Sequence, residues 1–370
     1  MKIGINASFA RKPGSGIGEV TLNYLRALSE KNTNDEFVVY LEEDLLLELP
    51  TNFVKKVFLP FYQRDDLIRK IWWEKFLLPK QLKRDGCDKL ISLYQCPTIT
   101  SSKIKHTMVV HDIIPELFPE YVNNWRKKFY WYLTKKAIDR ATKIVAVSQH
   151  TKDDLVKFLK IDAAQIIVCH IAIDPIYKKE INDSQSQTVL KKYNLTPGYL
   201  YSGGGLDKRK NIDTLIYAYK ELLNKDANLP DLIISGKLMP ELAPLIIDAE
   251  KIIKELNIEN KVKLLGFVPQ EDLSALYKNA SLFIYPSLYE GFGLPLLEAM
   301  TVGTPVVTSN NSSLGEIVGD AGILFNPESK EDIAQKIRQA LDDVDLRKGK
   351  AILAKEYAQN FSWEKFGTLS

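Results

Sequence analysis

The chain has 370 residues, of which 45% are hydrophobic and 26% are charged, and its formal net charge is +3. This composition is ordinary for a globular protein, and so small a net charge does not indicate nucleic-acid binding. A chain of this length exceeds the ~250–300 residues that a single hydrophobic core usually reaches, so two domains are predicted.

Cysteines, histidines and apolar runs exclude several other classes of protein. The three cysteines follow no pattern, which argues against a disulfide framework and favours the reducing cytoplasm. The four histidines contain no i, i+3 or i, i+4 pair of the kind that indicates a zinc or iron site. Residues 1–9 have the pattern of a strand rather than of a signal peptide, and no run approaches the ~18 apolar residues of a membrane span.

Short apolar runs alternate with longer helical patterns along the whole chain. Such alternation predicts an α/β protein in which helices cover both faces of parallel sheets. The predicted strands are Lys2–Ile5, Phe37–Tyr40, Lys89–Leu93, Thr107–Val110, Lys143–Val147, Ile166–His170, Tyr199–Ser202, Asp231–Ser235, Lys261–Leu265, Ser281–Tyr285 and Pro305–Thr308.

The alternation lapses near Ile173–Gln187, where an Asp-Pro pair precedes the polar stretch Lys178–Gln187, and we place the domain linker there. The prediction is a doubly wound, Rossmann-like domain at residues 1–175, a second at residues 186–352, and a C-terminal helix at residues 353–370 that packs back on the first domain. Ligands bind at the carboxyl ends of the strands in such sheets, so two domains that face each other would form a cleft.

A glycine-rich loop, Gly14-Ser15-Gly16-Ile17-Gly18, follows the first predicted strand. The loop lacks the G-x-G-x-x-G spacing, and no acidic residue closes a second strand in the position that a dinucleotide fingerprint requires. An NAD-dependent dehydrogenase is therefore disfavoured, and the loop by itself is a weak signal.

The segment from Phe61 to Arg84 is basic and aromatic, with seven Lys or Arg against three Asp or Glu. Its helical spacing predicts one apolar face that packs in the core and leaves Trp73 on the opposite, basic side. That apolar face consists of Leu67, Ile68, Ile71, Trp72 and Phe76. Together with the basic stretch Trp125–Trp131, this segment is typical either of a surface that contacts an anionic membrane or of a packed helix with a solvated basic side.

His111 follows the predicted strand Thr107–Val110, within Val-Val-His-Asp-Ile-Ile-Pro. A histidine at the carboxyl end of a parallel strand would point into the predicted cleft. A lone histidine is more often a structural residue, and the residues alone leave both interpretations open.

The loop Gly203–Asn211 joins a predicted strand to a predicted helix, Ile212–Leu223. Its glycines allow the backbone to approach a ligand closely, and Arg209 and Lys210 are suited to a diphosphate near a helix N-terminus. The alternative is a basic surface turn.

The segment Tyr285–Met300 carries the strongest signal in the chain. An apolar strand runs into a loop with two glycines, and Pro295 is suited to the first turn of a following helix. Loop N–H groups and a helix N-terminus favour negative charge and sugar oxygens, while Glu290 and Glu298 can each accept two hydrogen bonds from a vicinal diol. Alternatively, Glu290 is a solvated loop acid and Glu298 a favourable charge near the start of a helix.

This segment resembles the Glu-x7-Glu signature of the family 4 glycosyltransferases, which are retaining enzymes of the GT-B fold. The resemblance implies that Glu290 contacts hydroxyls of the donor sugar and that Glu298 holds the nucleotide ribose. It also implies that the backbone of the intervening loop supports the sugar and the phosphate, through Gly291, Phe292, Gly293 and Leu294. The segments Gly303–Val307 and Ser312–Glu316 match the family as well.

The other loops resemble the same family. The resemblance implies that Gly203, Arg209 and Lys210 bind the donor, with both cations neutralising the leaving diphosphate. Gly204 departs from the pattern, because many members carry a basic residue there. In the first half, Gly16 and Gly18 resemble a Gly-Ile-Gly turn beside the donor phosphate, and the His111-Asp112 pair implies a histidine beside the donor sugar.

These resemblances predict a metal-independent glycosyltransferase without a cofactor, whose catalytic residues are His111, Glu290, Arg209 and Lys210. We expect it to transfer a hexose from a nucleoside-diphosphate sugar to a saccharide or lipid-linked saccharide. The motif combination favours GDP-mannose as donor, with UDP-glucose next. We expect no nucleic-acid partner and peripheral contact of the first domain with an anionic membrane. The alternatives are a nucleotide-sugar hydrolase or epimerase and a non-catalytic sugar-nucleotide-binding subunit.

Overall fold

The computed structural model describes residues 1–12, 14–62, 64–239, 242 and 245–366. Contacts divide the chain into two compact units. The first comprises Met1–Ala172 together with the residues from Ser362 onward, and the second comprises Ile173–Phe361. The chain therefore passes from the first unit to the second at Ala172 and returns to the first after Phe361.

Each unit is built on one parallel sheet, as the alternating pattern predicts. The strands of the first unit are β1 (Lys2–Asn6), β2 (Glu36–Leu41), β3 (Phe53–Val57), β4 (Lys89–Ser92), β5 (Lys105–Val110), β6 (Lys143–Ala146) and β7 (Ile166–Val168). Those of the second are β8 (Tyr199–Ser202), β9 (Leu232–Ile234), β10 (Val262–Leu264), β11 (Ala280–Tyr285), β12 (Val306–Ser309) and β13 (Ile323–Phe325). Over the described residues, the strand orders are β3-β2-β1-β4-β5-β6-β7 and β10-β9-β8-β11-β12-β13. The predicted fold class, two doubly wound α/β sheets, is confirmed.

Helices connect the strands and cover the sheets. They are α1 (Gly16–Ser29), α2 (Asp66–Trp72), α3 (Leu78–Arg84), α4 (Ile114–Leu117), α5 (Trp125–Asp139), α6 (Gln149–Leu159), α7 (Asp183–Tyr193), α8 (Ile212–Lys225), α9 (Ala249–Glu255), α10 (Gln270–Asn279), α11 (Leu294–Val302), α12 (Leu314–Val318), α13 (Lys330–Asp342), α14 (Val344–Ala358) and α15 (Trp363–Phe366). A π-helical turn, Trp73–Leu77, joins α2 to α3. None of the helices among the described residues combines the length and hydrophobicity that crossing a membrane requires.

Central strands form where apolar residues run without interruption, because parallel strands are buried on both faces. In β2, for example, the residues from Phe37 to Leu41 are almost fully buried. The strands β3 and β13 lie at sheet edges and were not predicted. Two lysines in β3, Lys55 and Lys56, break its apolar run.

The polar stretch that we interpreted as a linker is partly helical. Asn182 caps α7, and the Asn182 and Gln185 side chains form a reciprocal capping box with each other's backbone. Polar residues at a helix start satisfy N–H groups that have no partner within the helix, so this polarity marks an N-terminus. The passage between the units, from Ala172 to Ile173, lies at the start of the region in which we placed the linker.

The last described residues belong to the first unit. The helix α14 ends at Ala358, and α15 follows after a short break. Phe366 in α15 is fully buried, and its ring meets that of Tyr24 in α1 edge to face, with centroids 5.9 Å apart. The helix α15 therefore packs against α1.

The orientation predicted for the basic, aromatic segment is wrong. Trp73 is fully buried, donates its indole N–H to the Phe58 carbonyl at 2.8 Å and stacks on the Phe58 ring. The face predicted to enter the core is instead partly exposed, at 38% for Ile68, 51% for Trp72 and 55% for Phe76. In this helical stretch Trp72 and Phe76, rather than Trp73, therefore reach solvent.

Candidate active site

Two loops of the second unit leave the carboxyl ends of neighbouring strands. The first, Gly203–Asn211, follows β8, and the second, Pro286–Gly293, follows β11, which pairs directly with β8. The strand β8 lies between β9 and β11, where the order of strand addition reverses. Open α/β sheets bind ligands at this kind of position, outside the carboxyl ends of the strands.

Hydrogen bonds join these two loops into one structure. The Leu288 N–H donates to the Arg209 carbonyl at 2.7 Å, and Arg209 Nη1 donates to the Tyr289 carbonyl at 2.7 Å. Asn211, at the start of α8, donates from Nδ2 to the Pro286 carbonyl at 3.2 Å. The basic loop therefore forms part of the folded site and is not a solvated turn.

The segment after β12 holds the second loop from its other side. Ser312 Oγ accepts the Glu290 N–H at 3.2 Å, and Ser313 Oγ lies 2.9 Å from the carbonyl oxygens of both Glu290 and Phe292. Asn311 Nδ2 donates to the Leu288 carbonyl at 2.7 Å. The serines that matched the family pattern thus fix the backbone of the glutamate loop.

Arg209, Lys210 and Glu290 meet in a buried cluster of charges. Lys210 Nζ lies 2.6 Å from Glu290 Oε1, and Arg209 Nη1 lies 3.8 Å from Glu290 Oε2. The three side chains are only 12–13% exposed. Glu290 is therefore not a solvated loop acid.

Burial and charge pairing oppose each other in this cluster. Burial by itself would raise the pKa of Glu290, but the charges of Lys210 and Arg209 outweigh it and the pKa of the carboxyl is lowered. Burial would likewise lower the pKa of Lys210, but the Glu290 carboxylate outweighs it and the pKa is raised. Both groups are therefore charged at neutral pH.

Glu298 lies in α11, one residue beyond its first turn. The helix begins after Gly293, whose φ of 106° places it in the left-handed region, and Pro295 lies in the first turn as predicted. Glu298 Oε2 accepts a hydrogen bond from the Tyr277 hydroxyl at 2.9 Å. Tyr277 is itself buried in α10, so the orientation of the carboxylate is set by the packing of α10.

The departure at Gly204 has a steric reason. Its φ is 100°, which side chains rarely tolerate, and a Cβ there would lie 3.0 Å from Tyr285 Cε2 and 3.5 Å from Pro295 Cγ. Gly203 is also confined, since its Cβ would lie 3.0 Å from Ser235 Oγ. A basic side chain at position 204 is therefore incompatible with the Tyr285 ring in this arrangement.

In the first unit, Gly16 and Gly18 lie in the first turn of α1. The capping side chain, Ser15 Oγ, accepts the Gly18 N–H at 3.2 Å. A Cβ on Gly18 would lie 2.0 Å from the Lys12 carbonyl oxygen, so this position excludes every side chain. The lack of a side chain on Gly18 therefore allows the first turn of α1 to pack against the Lys12 backbone.

His111 follows β5 and is 8% exposed. Its Nε2 lies 2.8 Å from the Leu93 carbonyl oxygen, to which only a protonated nitrogen can donate. Burial lowers the pKa of His111 to about 4, although the bond to Leu93 opposes the shift. At neutral pH the ring is therefore uncharged, with its hydrogen on Nε2 and Nδ1 able to accept a hydrogen bond.

The structure thus joins Arg209, Lys210 and Glu290 in direct contact, whereas it places Glu298 on Tyr277 and His111 in the other unit. The sequence reasoning missed Tyr277 and the second tyrosine of the site, Tyr285. Tyr285 is the last residue of an apolar strand, where an aromatic residue looks like ordinary core.

Among the described residues, no three His, Cys, Asp or Glu side chains form a group that could hold a metal ion.

Comparison with known protein families supports the resemblance. The model for glycosyl transferases group 1 matches residues 186–356, and the model for glycosyltransferase family 4 matches residues 14–176. Together the two matches cover most of the chain, one in each half.

Individual relatives agree with these matches. The O-antigen chain mannosyltransferase B of Escherichia coli is 30% identical, with the alignment covering 100% of this chain and 98% of the relative. The serotype-specific mannosyltransferase WbdA of Escherichia coli is 31% identical over 70% of this chain but only 32% of its own length. Among solved structures, Anabaena Alr3699/HepE in complex with UDP-glucose has a TM-score of 0.74 and 20% identity, covering 100% of this chain and 98% of that one.

Proposed function

Because this chain belongs to the family 4 glycosyltransferases, we propose that it transfers a hexose from a nucleoside-diphosphate sugar to a saccharide or lipid-linked saccharide, retaining the anomeric configuration. The observation that carries the proposal is the buried cluster of Arg209, Lys210 and Glu290. One pair of loops offers two cations for a diphosphate and a carboxylate for sugar hydroxyls.

The two cations stabilise the leaving group. As the bond from the sugar C1 to the diphosphate oxygen breaks, negative charge grows on the diphosphate. Arg209 and Lys210 are held in a buried site, where the surroundings need little reorganisation during reaction. A divalent metal ion is not required for this role, and the nucleotide sugar is a co-substrate rather than a cofactor.

The glutamates and the loop between them bind the rest of the donor. Glu290 accepts hydrogen bonds from hydroxyls of the hexose, and Glu298 accepts them from the ribose. The backbone from Gly291 to Leu294 supports the sugar and the phosphate near the start of α11. The helix N-terminus adds N–H groups and a partial positive charge that suit an anion.

The first unit supplies Gly16, Gly18 and His111. The N–H groups at the start of α1 suit the donor phosphate. The uncharged His111 ring accepts a hydrogen bond from the donor sugar through Nδ1, because Nε2 is used by Leu93. The acceptor hydroxyl then attacks C1 on the face from which the diphosphate leaves, and its proton passes to the departing diphosphate oxygen.

Mannose is the proposed hexose, and GDP-mannose the proposed donor. Two Escherichia coli relatives that align with this chain are named an O-antigen chain mannosyltransferase and a serotype-specific mannosyltransferase. A related polysaccharide or glycoconjugate is therefore the proposed product. Glucose from UDP-glucose is the second candidate, since HepE was solved in complex with that donor.

The first unit also carries a surface suited to an anionic membrane. Trp72 and Phe76 are about half exposed, and α2 packs against α5, where Trp125 is 72% and Phe129 is 47% exposed. The Arg126 guanidinium pairs with the Asp65 carboxylate and joins the two helices. Aromatic side chains among lysines and arginines favour the headgroup region of anionic lipids, so we propose peripheral attachment at the cytoplasmic face.

A thermal-shift panel of nucleoside diphosphates and nucleotide sugars tests donor binding. A ligand at ~100 times its Kd should stabilise the protein by ~2.7 kcal/mol. The selected nucleotide sugar, labelled in the hexose, is then incubated with and without a mannan oligosaccharide. Labelled product only with acceptor supports transfer, free sugar without acceptor indicates a hydrolase, and binding without turnover indicates a non-catalytic subunit.

A further inference from the structure

A tyrosine hydroxyl lies between the two opposite charges of the candidate site. Tyr285 ends β11, and its side chain is almost fully buried. Its Oη lies 2.7 Å from Lys210 Nζ and 3.1 Å from Glu290 Oε1. With Lys210 Nζ 2.6 Å from the same Oε1, the three groups form a closed triangle.

The chemistry of the three groups satisfies every side of this triangle. The ammonium of Lys210 donates to the Tyr285 hydroxyl and to the Glu290 carboxylate, and the hydroxyl donates its own hydrogen to the carboxylate. Among the described residues these are the two hydrogen-bond partners of the ammonium, which has three hydrogens. One N–H therefore remains for a ligand.

The Tyr285 ring is held on two sides. Above it lies Gly204, where even a Cβ would come within 3.0 Å of Cε2, and Phe283 stacks beside it with ring centroids 5.8 Å apart at 23°. The ring therefore has little freedom to move. By contrast, the flexible four-carbon stem of a lysine would allow Lys210 many orientations if nothing held its ammonium.

We propose that the Tyr285 hydroxyl is a positioning group that fixes the Lys210 ammonium and the Glu290 carboxylate relative to each other, so that one points to the diphosphate and the other to the sugar. The inference rests on the proposed function, because it assigns the diphosphate to Lys210. In this proposal Tyr285 itself contacts neither the diphosphate nor the sugar. It acts by keeping the free N–H of Lys210 directed at the phosphate that leaves.

The test compares Tyr285→Phe with Tyr199→Phe. Tyr199 is a matched control, because it is buried in the same sheet and its hydroxyl also makes a hydrogen bond, to the Leu276 carbonyl at 2.8 Å. Calorimetry measures the Kd of GDP and of GMP for each variant, or of UDP and UMP if the thermal-shift panel selects uridine. The ratio of the two constants reports the contribution of the β-phosphate, which a purely structural role would leave unchanged.

Tyr285→Phe should reduce the preference for diphosphate over monophosphate about fivefold to tenfold and lower kcat more than it raises KM. Tyr199→Phe should keep the wild-type ratio. An unchanged ratio and kcat in Tyr285→Phe, or an equal loss in both variants, would overturn the inference. Lys210→Ala distinguishes failure of the proposed function from failure of this inference. If Lys210→Ala keeps the preference for diphosphate, the assignment of Lys210 to the diphosphate is wrong. If Lys210→Ala loses that preference and Tyr285→Phe keeps it, only the role of Tyr285 is rejected.

Discussion

The Tyr277 hydroxyl donates a hydrogen bond of 2.9 Å to Glu298 Oε2, so a buried residue of α10 orients the second glutamate of the signature. A charge-assisted hydrogen bond to ribose contributes ~1.5–3 kcal/mol, and Glu298→Ala should therefore weaken nucleotide binding about tenfold to a hundredfold. Tyr277→Phe leaves the carboxylate in place and should weaken binding by less than about tenfold. Calorimetry with the nucleoside diphosphate measures both, and unchanged affinity in Glu298→Ala contradicts the ribose assignment.

Glu290→Gln should separate chemistry from binding. The amide keeps the size of the side chain but loses the charge that would stabilise a cationic sugar in the transition state. Loss of one such group costs ~2.7–4 kcal/mol, so kcat should fall about a hundredfold or more. Lys210→Ala should damage both kcat and nucleoside-diphosphate affinity, because the diphosphate is present in the ground state and gains charge as it leaves.

Steady-state kinetics and calorimetry on both variants provide the comparison. Normal turnover in Glu290→Gln would show that its carboxylate serves the folded loop and not the reaction. Since Glu290 also pairs with Lys210 at 2.6 Å, the melting temperature of each variant should be recorded as a control for altered folding.

Activity should survive exhaustive dialysis against EDTA, because Arg209 and Lys210 already supply positive charge at the proposed diphosphate site. The measurement is turnover before dialysis, after it, and after addition of magnesium or manganese. Loss of turnover that either metal restores would reject the metal-independent mechanism.

The double variant Trp72→Ala with Phe76→Ala should weaken binding to anionic vesicles about tenfold or more, since ~25 cal/mol is lost for each Å² of apolar surface no longer buried. Its melting temperature should change little, as both side chains are about half exposed. Phe267→Ala is a control in the second unit, where the ring is 68% exposed. Co-sedimentation at low salt measures the binding, and failure of the wild type to sediment rejects the membrane proposal.

Trp73→Ala should behave in the opposite way. Its indole is fully buried on Phe58, and removal of a buried tryptophan costs ~3–5 kcal/mol. We expect a lower melting temperature. Vesicle binding of the folded fraction should match the wild type, and a selective loss of binding without loss of stability would contradict the orientation of this helix.

Stability should fall as the pH decreases from about 6.5 towards 4. Burial lowers the pKa of His106 to about 3 and that of His111 to about 4, whereas an unfolded histidine has a pKa near 6.5. In this window the unfolded chain binds more protons than the folded protein, so protonation favours unfolding by ~1.4 kcal/mol per pH unit for each histidine. Between pH 7 and pH 5, the melting temperature of His106→Gln should decline less steeply than that of the wild type. A slope identical to that of the wild type would contradict the lowered pKa of His106.

The sequence predicts the sheets because their central strands are buried on both faces and read as continuous apolar runs. It also places Glu290, Arg209 and Lys210 in loops after β8 and β11, and the direct pairing of those strands explains why the loops meet. The contact between Lys210 and Glu290 was not predicted, because it joins side chains 80 positions apart along the chain.

Two structural features contribute to the error in this segment. The π-helical turn that begins at Trp73 contains an extra residue, which rotates the side chains after Trp73, such as Phe76, relative to a regular helical pattern. The partner of Trp73 is Phe58, which follows the unpredicted edge strand β3. Periodicity within one helix could not reveal either feature, since the buried face is decided by what packs against it.

The contact between Phe366 and Tyr24 has a consequence for how the protein acquires its structure during translation. The ribosome makes the whole second unit before it adds α15, so the first unit emerges with the site beside α1 still uncovered. The sheet of the first unit can form early, but the packing of α15 against α1 can form only after the second unit has been synthesised. The nascent first unit consequently exposes an apolar site throughout the synthesis of the second, during which chaperones can bind it.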